Sequence, residues 1–396
     1  MRIAYLAPFD LTQLAGHTSH VLATVRQMSA KGHEVTLLAR GCPDDVARAV
    51  RFVTVPTFDR PGLQSVSFGA AAAAVLAKEV VHRRPDAVYL RYFKSASLPL
   101  FIARAARIPG VVEVNADTTN ERRANRRGKV ATRMEETEER AIYSLCSAII
   151  GVTEAVVRNV ARLSPSAIGK ATVIENGVDT SVYRPLDRTE CSLKHGLDPV
   201  RKRVVFTGGF SSWQGTLDLV AAMTAVASKR ADADLLLVGD GPLRMDIDSA
   251  ICAAGLSNRV SITGYVPESA VAELIGASDI CVAPYNTGAL GDTEKDKLRP
   301  GALMRGSPLK IYGYLACGRP VITSHFHEAG EYVEAKGAGL AVRPEEPGEL
   351  ATSILSLLND PDRARSMGDR GRQLAEESHD WSRVVDKYLE VISRFT

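Results

Sequence analysis

The chain has 396 residues, of which 45% are hydrophobic and 24% charged, a composition typical of a globular protein. This length is too great for one hydrophobic core, so we expect two domains. A formal net charge of +3 is too small to predict a nucleic-acid-binding protein. The six cysteines include no Cys-x-x-Cys pair, and several lie in apolar runs, so we expect reduced thiols and a cytoplasmic protein.

The first half of the chain alternates apolar strands with helices. We expect no secretory leader before the first strand, and the apolar run at 68–77 is too short to span a membrane. The predicted strands are 2–7, 34–40, 51–56, 86–92, 110–115, 147–152 and 171–176. The predicted helices are 17–32, an Ala-rich helix that ends at Arg84, 97–107 and 133–147. This alternation predicts a parallel sheet covered on both faces.

The second half repeats the alternation after a polar, irregular stretch, 181–202, which we interpret as a linker. Its predicted strands are 203–209, 234–242, 259–266, 279–285, 319–324 and 340–344. The predicted fold is therefore α/β, with two tandem doubly wound, Rossmann-like parallel-sheet domains, 1–180 and 203–379, and a final helix, 380–396. Ligands bind beyond the carboxyl ends of such strands, so we expect the site in a cleft between the domains.

One helix start suits an anionic ligand. Ser307 can cap the helix, Pro308 suits its first position, and Lys310 lies in its first turn. Gly313 costs roughly 1 kcal/mol relative to Ala inside a helix, so something approaches the backbone closely there. Two explanations stay open, namely a bound ligand over Lys310 and Gly313, or tight packing of the helix.

Glycine-rich turns follow two strands of the second half. The first turn of the chain, with Gly16 alone, lacks the Gly-x-Gly-x-x-Gly spacing and argues against a nicotinamide enzyme. In contrast, "FTGGFSSWQG" (206–215) and "VGDGPLR" (238–244) follow successive strands, so we expect them to surround one ligand.

Polar residues follow the strand at 110–115 as well. Asn115 and Asp117 would project at its carboxyl end. For the basic segment 121–133, a solvated and self-paired surface is favoured over contact with an anionic partner such as a lipid surface. His325 and His327 lack a carboxylate or Cys cluster, so no metal site is predicted.

The order and spacing of several segments resemble the retaining, nucleotide-sugar-dependent glycosyltransferases of family four, which have the GT-B fold. These segments are "AGHTSHVLATVRQMSAKGHEVTLLA", "EVNAD", "NGVDTSVYRP", "GGFSSWQG", "VGDGPLR", "GYVPESAVAELIGASDICVAPY" and "SPLKIYGYLACGRPVITS". The resemblance implies a nucleotide-sugar donor in the second domain and a small-molecule, lipid-linked or glycan acceptor in the first. It further implies no cofactor, no metal at the diphosphate, and a last helix that packs on the first domain.

The resemblance also assigns residues. Donor contacts are Gly208, Gly209, Phe210, Trp213, Gln214, Gly239, Gly241, Tyr265, Val266, Ser307, Pro308, Lys310, Ile311 and Gly313. Acceptor contacts are Gly16, His17, Asn115, Asp117 and Arg122, and the catalytic group is Lys310, Arg299, Asn115 and Asp117.

Three positions depart from the family pattern. Arg305 and Gly313 stand where two glutamates are usual, and Gln214 takes the place of a lysine. These departures keep open a catalytically silent subunit that binds a sugar nucleotide. A sugar-nucleotide epimerase of the same architecture also stays open, whereas a phosphorylase would need a pyridoxal-phosphate lysine that nothing singles out.

Overall fold

The computed structural model describes residues 1–13, 16–58, 60, 63–116, 129–286, 309–325 and 328–396. These residues form two compact units, one from 1–177 with 381–396 and the other from within 178–380. The boundary after Gly177 lies close to the predicted end of the first domain at 180.

The first unit is built on a seven-stranded parallel sheet in the order β3-β2-β1-β4-β5-β6-β7. Its strands are β1 (Arg2–Leu6), β2 (Glu34–Ala39), β3 (Arg51–Thr54), β4 (Ala87–Arg91), β5 (Gly110–Val114), β6 (Ala148–Gly151) and β7 (Ala171–Val173). All seven predicted strands are present. The apolar runs of the five inner strands are buried because helices cover both faces of the sheet, whereas the edge strands β3 and β7 are partly exposed.

The helices of this unit are α1 (Gly16–Ala30), α2 (Asp44–Ala49), α3 (Gln64–His82), α4 (Ser97–Ala105), α5 (Lys129–Leu145) and α6 (Glu154–Leu163). Four of them lie close to the predicted positions, and α2 and α6 were not predicted. Helix α3 is long and apolar enough to cross a membrane by length and composition, but Phe68, Ala72 and Leu76 on it pack into the core of the unit.

The second unit contains a six-stranded parallel sheet in the order β10-β9-β8-β11-β12-β13. Its strands are β8 (Lys202–Thr207), β9 (Ala233–Val238), β10 (Val260–Ile262), β11 (Ile280–Ala283), β12 (Val321–Ser324) and β13 (Gly339–Val342). Its helices are α7 (Arg188–Lys194), α8 (Thr216–Lys229), α9 (Arg244–Ala253), α10 (Glu268–Gly276), α11 (Leu309–Ala316), α12 (Glu328–Ala335), α13 (Pro347–Asn359) and α14 (Pro361–Leu374). Two doubly wound parallel sheets in tandem are thus the architecture that the alternating pattern predicts.

The predicted linker is wrong in its extent. Residues 181–202 belong to the second unit, where Arg188 at the start of α7 donates to Asp279 Oδ2 at 2.9 Å and to the carbonyl of Pro199 at 2.7 Å. Cys191 is buried on the same helix. The segment looked irregular in sequence because side chains distant along the chain, rather than an apolar period of its own, hold it in place.

The last helix, α15 (Trp381–Ser393), packs into the first unit. Trp381, Tyr388 and Ile392 join the core on the face of the sheet that α1 covers. The ring centroid of Tyr388 lies 5.7 Å from that of Tyr89 on β4. The apolar residues at helical spacing at the end of the sequence are therefore the inward face of this helix.

Candidate functional site

The carboxyl ends of β8 and β11 mark the point where the order of the second sheet reverses. Phe206 lies near the end of β8, and Tyr285 follows β11. Lys310, in the first turn of α11, places its Nζ 3.9 Å from the ring centroid of Phe206 and 5.3 Å from that of Tyr285. In open parallel sheets this switch point is where ligands bind, so the structure brings Lys310 to the expected place in the second unit.

The ammonium group of Lys310 is held by a neutral partner. Its Nζ donates to Gln214 Oε1 at 2.5 Å, and Gln214 is itself buried. Burial lowers the pKa of Lys310 well below its usual range, and no described carboxylate offsets this effect. A cation in such a place is stabilised by an anionic ligand, because the ligand supplies the missing countercharge.

The two glycine-rich turns meet beside Lys310. A Cβ built on Gly208 would lie 2.9 Å from Lys310 Nζ, and one built on Gly239 would overlap the carbonyl oxygen of Gly208. A Cβ on Gly241 would lie 2.6 Å from the backbone N of Phe210. The turns after β8 and β9 therefore pack backbone against backbone, while Gly209 stays exposed. The two turns that were predicted to surround one ligand thus lie side by side.

An aromatic pair fixes the loop that carries Gln214. The ring of Trp213 stacks on Tyr285 with a centroid distance of 5.7 Å and an interplanar angle of 12°. The backbone N of Asn286 donates to the Trp213 carbonyl at 3.1 Å, and Asn286 Nδ2 donates to Asp218 at 2.7 Å. These contacts hold the loop that presents Gln214 to Lys310.

Two of the predicted donor contacts have buried side chains. Phe210 and Ile311 are fully buried and belong to two hydrophobic cores of the second unit. Apolar side chains of this size are stabilised more by burial than by lining an open polar site. Val266 is partly buried against the same core as Ile311, whereas Tyr265 is exposed and its hydroxyl donates to the Asp240 carbonyl at 3.1 Å.

Gly313 faces protein rather than an open ligand space. A Cβ built there would lie 3.3 Å from Cδ1 and Cε1 of Tyr183, whose ring belongs to the segment before α7. Of the two explanations for Gly313, this contact supports tight packing of the helix. The close approach is that of an aromatic ring to the helix backbone.

Gly313→Ala should therefore lower stability slightly and leave nucleotide affinity unchanged. The gain in helix propensity is roughly 1 kcal/mol, while crowding against Tyr183 costs about 1–3 kcal/mol. Urea unfolding and titration with nucleoside diphosphates on this variant check both halves. A parent-like stability with a tenfold weaker nucleotide affinity would instead place a ligand beside residue 313.

In the first unit, the predicted acceptor residues Gly16, His17 and Asn115 lie at the carboxyl edge of the sheet. The ring of His17 packs 4.2 Å from that of Phe9. Asn115 Nδ2 donates at 2.8 Å to Glu113, a fully buried carboxylate on β5. The predicted site residues that lie outside the described ranges are Asp117, Arg122, Arg299, Ser307 and Pro308.

Sequence reasoning missed several aromatic and basic residues at these edges. Phe206 and Tyr285 surround the Lys310 ammonium, and Arg91, at the end of β4, lies over Phe9 with 5.7 Å between its Cζ and the ring centroid. The available signal was positional, because Arg91 and Tyr285 lie at the ends of predicted strands and Phe206 begins the glycine-rich turn 206–215. That signal does not show which strand ends are neighbours.

Two doubly wound parallel sheets, with a basic side chain over the switch point of the second, define a protein of the GT-B class. The chain belongs to the family 4 glycosyltransferases. The family described as Glycosyltransferase Family 4 matches residues 14–182, and the family described as Glycosyl transferases group 1 matches residues 201–360. The resemblance noted in the sequence is thereby confirmed, and the protein is a glycosyltransferase.

Curated relatives are similar over most of the chain. An N-acetyl-alpha-D-glucosaminyl L-malate synthase from Bacillus anthracis is 21% identical over 92% of this chain and 90% of its own. An alpha-D-kanosaminyltransferase from Streptomyces kanamyceticus is 21% identical over 74% of this chain and 72% of its own.

Solved structures share the fold at low identity. Sucrose-phosphate synthase from Thermosynechococcus elongatus superposes with a TM-score of 0.77 at 18% identity, covering 99% of this chain and 98% of its own. Anabaena HepE in complex with UDP superposes with a TM-score of 0.74 at 18% identity, covering both chains completely.

Proposed function

We propose that the protein transfers a sugar from a nucleoside-diphosphate sugar to an acceptor hydroxyl, with retention and without a metal ion. The observation that carries the proposal is the Lys310 ammonium, held by Gln214 at the switch point without a described acidic partner. The complexes of Anabaena HepE with UDP and with UDP-glucose support a nucleotide-sugar donor.

The chemistry follows from charge. Breaking the sugar–phosphate bond leaves negative charge on the diphosphate and positive character on the anomeric carbon. Lys310, in the first turn of α11, adds its charge to the positive end of that helix and stabilises the leaving group. The acceptor oxygen attacks the same face of the anomeric carbon as the leaving group departs, and its proton passes to a leaving phosphate oxygen. No protein nucleophile is required.

Titration of the full chain with UDP, GDP and their sugar derivatives tests the donor proposal. A true donor raises the melting temperature by mass action, by an amount that grows with ligand concentration. We expect stabilisation and transfer to persist in EDTA, since no group of three metal-ligating side chains occurs among the described residues. Loss of transfer in EDTA that magnesium or manganese restores would contradict metal independence.

A silent nucleotide-sugar-binding subunit is the second candidate. It is favoured by one observation, that position 313 carries Gly against Tyr183 and so offers no carboxylate to a ribose. Donor hydrolysis by the purified protein separates the two, because a silent subunit is stabilised by the donor without consuming it.

We further propose that the first unit contacts an anionic membrane through 121–133, of which 121–128 lie outside the described residues, and the outward face of α5. Exposed on the described part of this helix are Val130, Arg133, Met134, Thr137, Arg140 and Ser144. Two of its acids pair with other segments, since Glu135 accepts from Lys94 Nζ at 2.6 Å and Glu139 accepts from Tyr92 at 3.1 Å, whereas Glu136 lies 4.0 Å from the exposed Arg140. The outward residues are therefore apolar, hydroxyl-bearing or basic, which suits an anionic lipid surface.

Cosedimentation with phosphatidylglycerol vesicles should be lost with phosphatidylcholine and weakened by high salt. Met134→Ser should weaken it several-fold, because its side chain is 69% exposed on this face. Met245→Ser is the matched control, because this methionine of the second unit is 81% exposed. Equal losses in both variants would contradict the assignment of this face.

A further inference from the structure

The switch point of the first sheet, between β1 and β4, is built like that of the second. Arg91 at the end of β4 lies over the ring of Phe9, as Lys310 lies over Phe206. Each unit thus places one cation above one aromatic ring where the strand order reverses. The proposed donor chemistry occupies Lys310 and leaves Arg91 without a role.

Arg91 has an unused donor. Its Nη1 is buried and has no hydrogen-bond partner in the described part of the chain. A buried N–H without an acceptor costs about 1–3 kcal/mol, so such groups in native proteins usually have a partner. A bound ligand that carries acceptor oxygens would supply it.

The neighbouring carboxylate does not satisfy Arg91. Glu113 is the register partner of Arg91 on β5, and its two oxygens face three other groups. They accept from Tyr89 Oη at 2.8 Å and from Asn115 Nδ2 at 2.8 Å, and His20 Nε2 lies 2.7 Å from one of them. Glu113 therefore lessens the cost of a buried guanidinium without forming its hydrogen bonds.

Apart from the Glu113 carboxylate, the residues around Arg91 add polarity but no second fixed charge. The ring of His17 packs against Phe9, the ring over which Arg91 lies. Desolvation and the Arg91 charge both lower the pKa of His17. Asn115 keeps a buried Oδ1 that has no described partner. The edge thus offers one permanent cation, a neutral imidazole and an amide, a set that orients an anion and a hydroxyl together.

We infer that Arg91 binds an anionic group, carboxylate or phosphate, of the acceptor, so that the acceptor class is an anionic small molecule or headgroup rather than a neutral glycan. The inference rests on the proposed function, since it names the second substrate of the same transfer. Guanidinium binds both groups through paired N–H donors, and two probes distinguish them.

The test is calorimetric titration of the full chain, saturated with UDP, with malonate and separately with methyl phosphate. UDP occupies the proposed diphosphate site, so the added anion reports on the first unit. We expect saturable binding of one or both anions, no binding of neutral malonamide, and at least a tenfold loss in Arg91→Gln. Arg104→Gln, which removes an exposed arginine of α4, is the matched control and should bind as the parent does.

The outcomes separate the inference from the proposed function. Parent-like anion binding in Arg91→Gln, or no anion binding by a parent protein that binds UDP, overturns the inference and leaves the donor proposal standing. If UDP does not stabilise the parent, the donor proposal fails, and the anion titration without nucleotide still judges Arg91. Should Arg91→Gln not fold, malonate must protect Arg91 of the parent from phenylglyoxal modification, and unprotected Arg91 overturns the inference.

Discussion

Lys310→Ala should lower glycosyl transfer by about two to three orders of magnitude while the protein still folds. Removing one preorganised donor to a developing negative charge costs roughly 3–4 kcal/mol in the transition state. Stability should hold or rise, because the variant removes a cation whose burial no described carboxylate offsets. Turnover within a few-fold of the parent would show that Lys310 does not serve the leaving group.

The pH dependence of nucleotide binding by the parent protein gives an independent check on Lys310. Because the pKa of Lys310 is lowered in the free protein, an anionic donor raises it again, and binding takes up protons. Nucleotide affinity should therefore fall as pH rises through the lowered pKa. Without ligand, Lys310 in the unfolded state binds more protons than in the folded state between that pKa and about 10.4. The contribution of Lys310 to the free energy of unfolding therefore increases with pH across that window.

Calorimetry of UDP binding in buffers of different ionisation enthalpy measures this proton uptake directly. Lys310→Ala should abolish it, whereas Lys336→Ala, an exposed lysine of the same unit, should keep it. Equal proton uptake in parent and Lys310→Ala would assign the titrating group elsewhere.

Gly239→Ala should unfold or severely destabilise the second unit. Gly239 has a φ of +140°, a conformation that other residues rarely adopt, and its Cβ would overlap the Gly208 carbonyl. Backbone strain costs about 1–3 kcal/mol and crowding costs about 1–3 kcal/mol. Both costs apply because the crowded atoms belong to the backbone, which cannot move aside as a flexible side chain can. The free energy of unfolding should fall by about 2–6 kcal/mol.

The two tryptophans make the measurement specific to one unit. Trp213 lies in the second unit and Trp381 in the first, so a Trp381→Phe background reports on the second unit alone. Gly209→Ala is the matched control, since its Cβ would meet only the Asp240 carbonyl at an ordinary 3.8 Å. Similar urea midpoints for the Gly239 and Gly209 variants would contradict the backbone packing described for these turns.

Local patterns in the sequence predicted the sheets well. Runs such as "RIAYLA" and "DICVAPY" are apolar on both faces, and only a strand covered by helices on both sides buries such a run. Turn glycines and Lys310 were also found because a strand end or helix start places them at a fixed offset along the chain. These features depend on interactions between near neighbours in sequence, and so are visible without a structure.

Long-range contacts decided what the sequence left open. Gly313 was one residue with two explanations, and the choice depended on Tyr183, a partner far back in the chain. The same holds for the segment 181–202, which Arg188 fixes through its contact with Asp279. It also holds for Arg91, because its neighbour Glu113 faces the distant residues His20 and Tyr89. The sequence by itself determined the strand and helix pattern and the family. Only the tertiary structure decided which side chains meet, because the strand order that brings them together reverses twice and is not written in any local period.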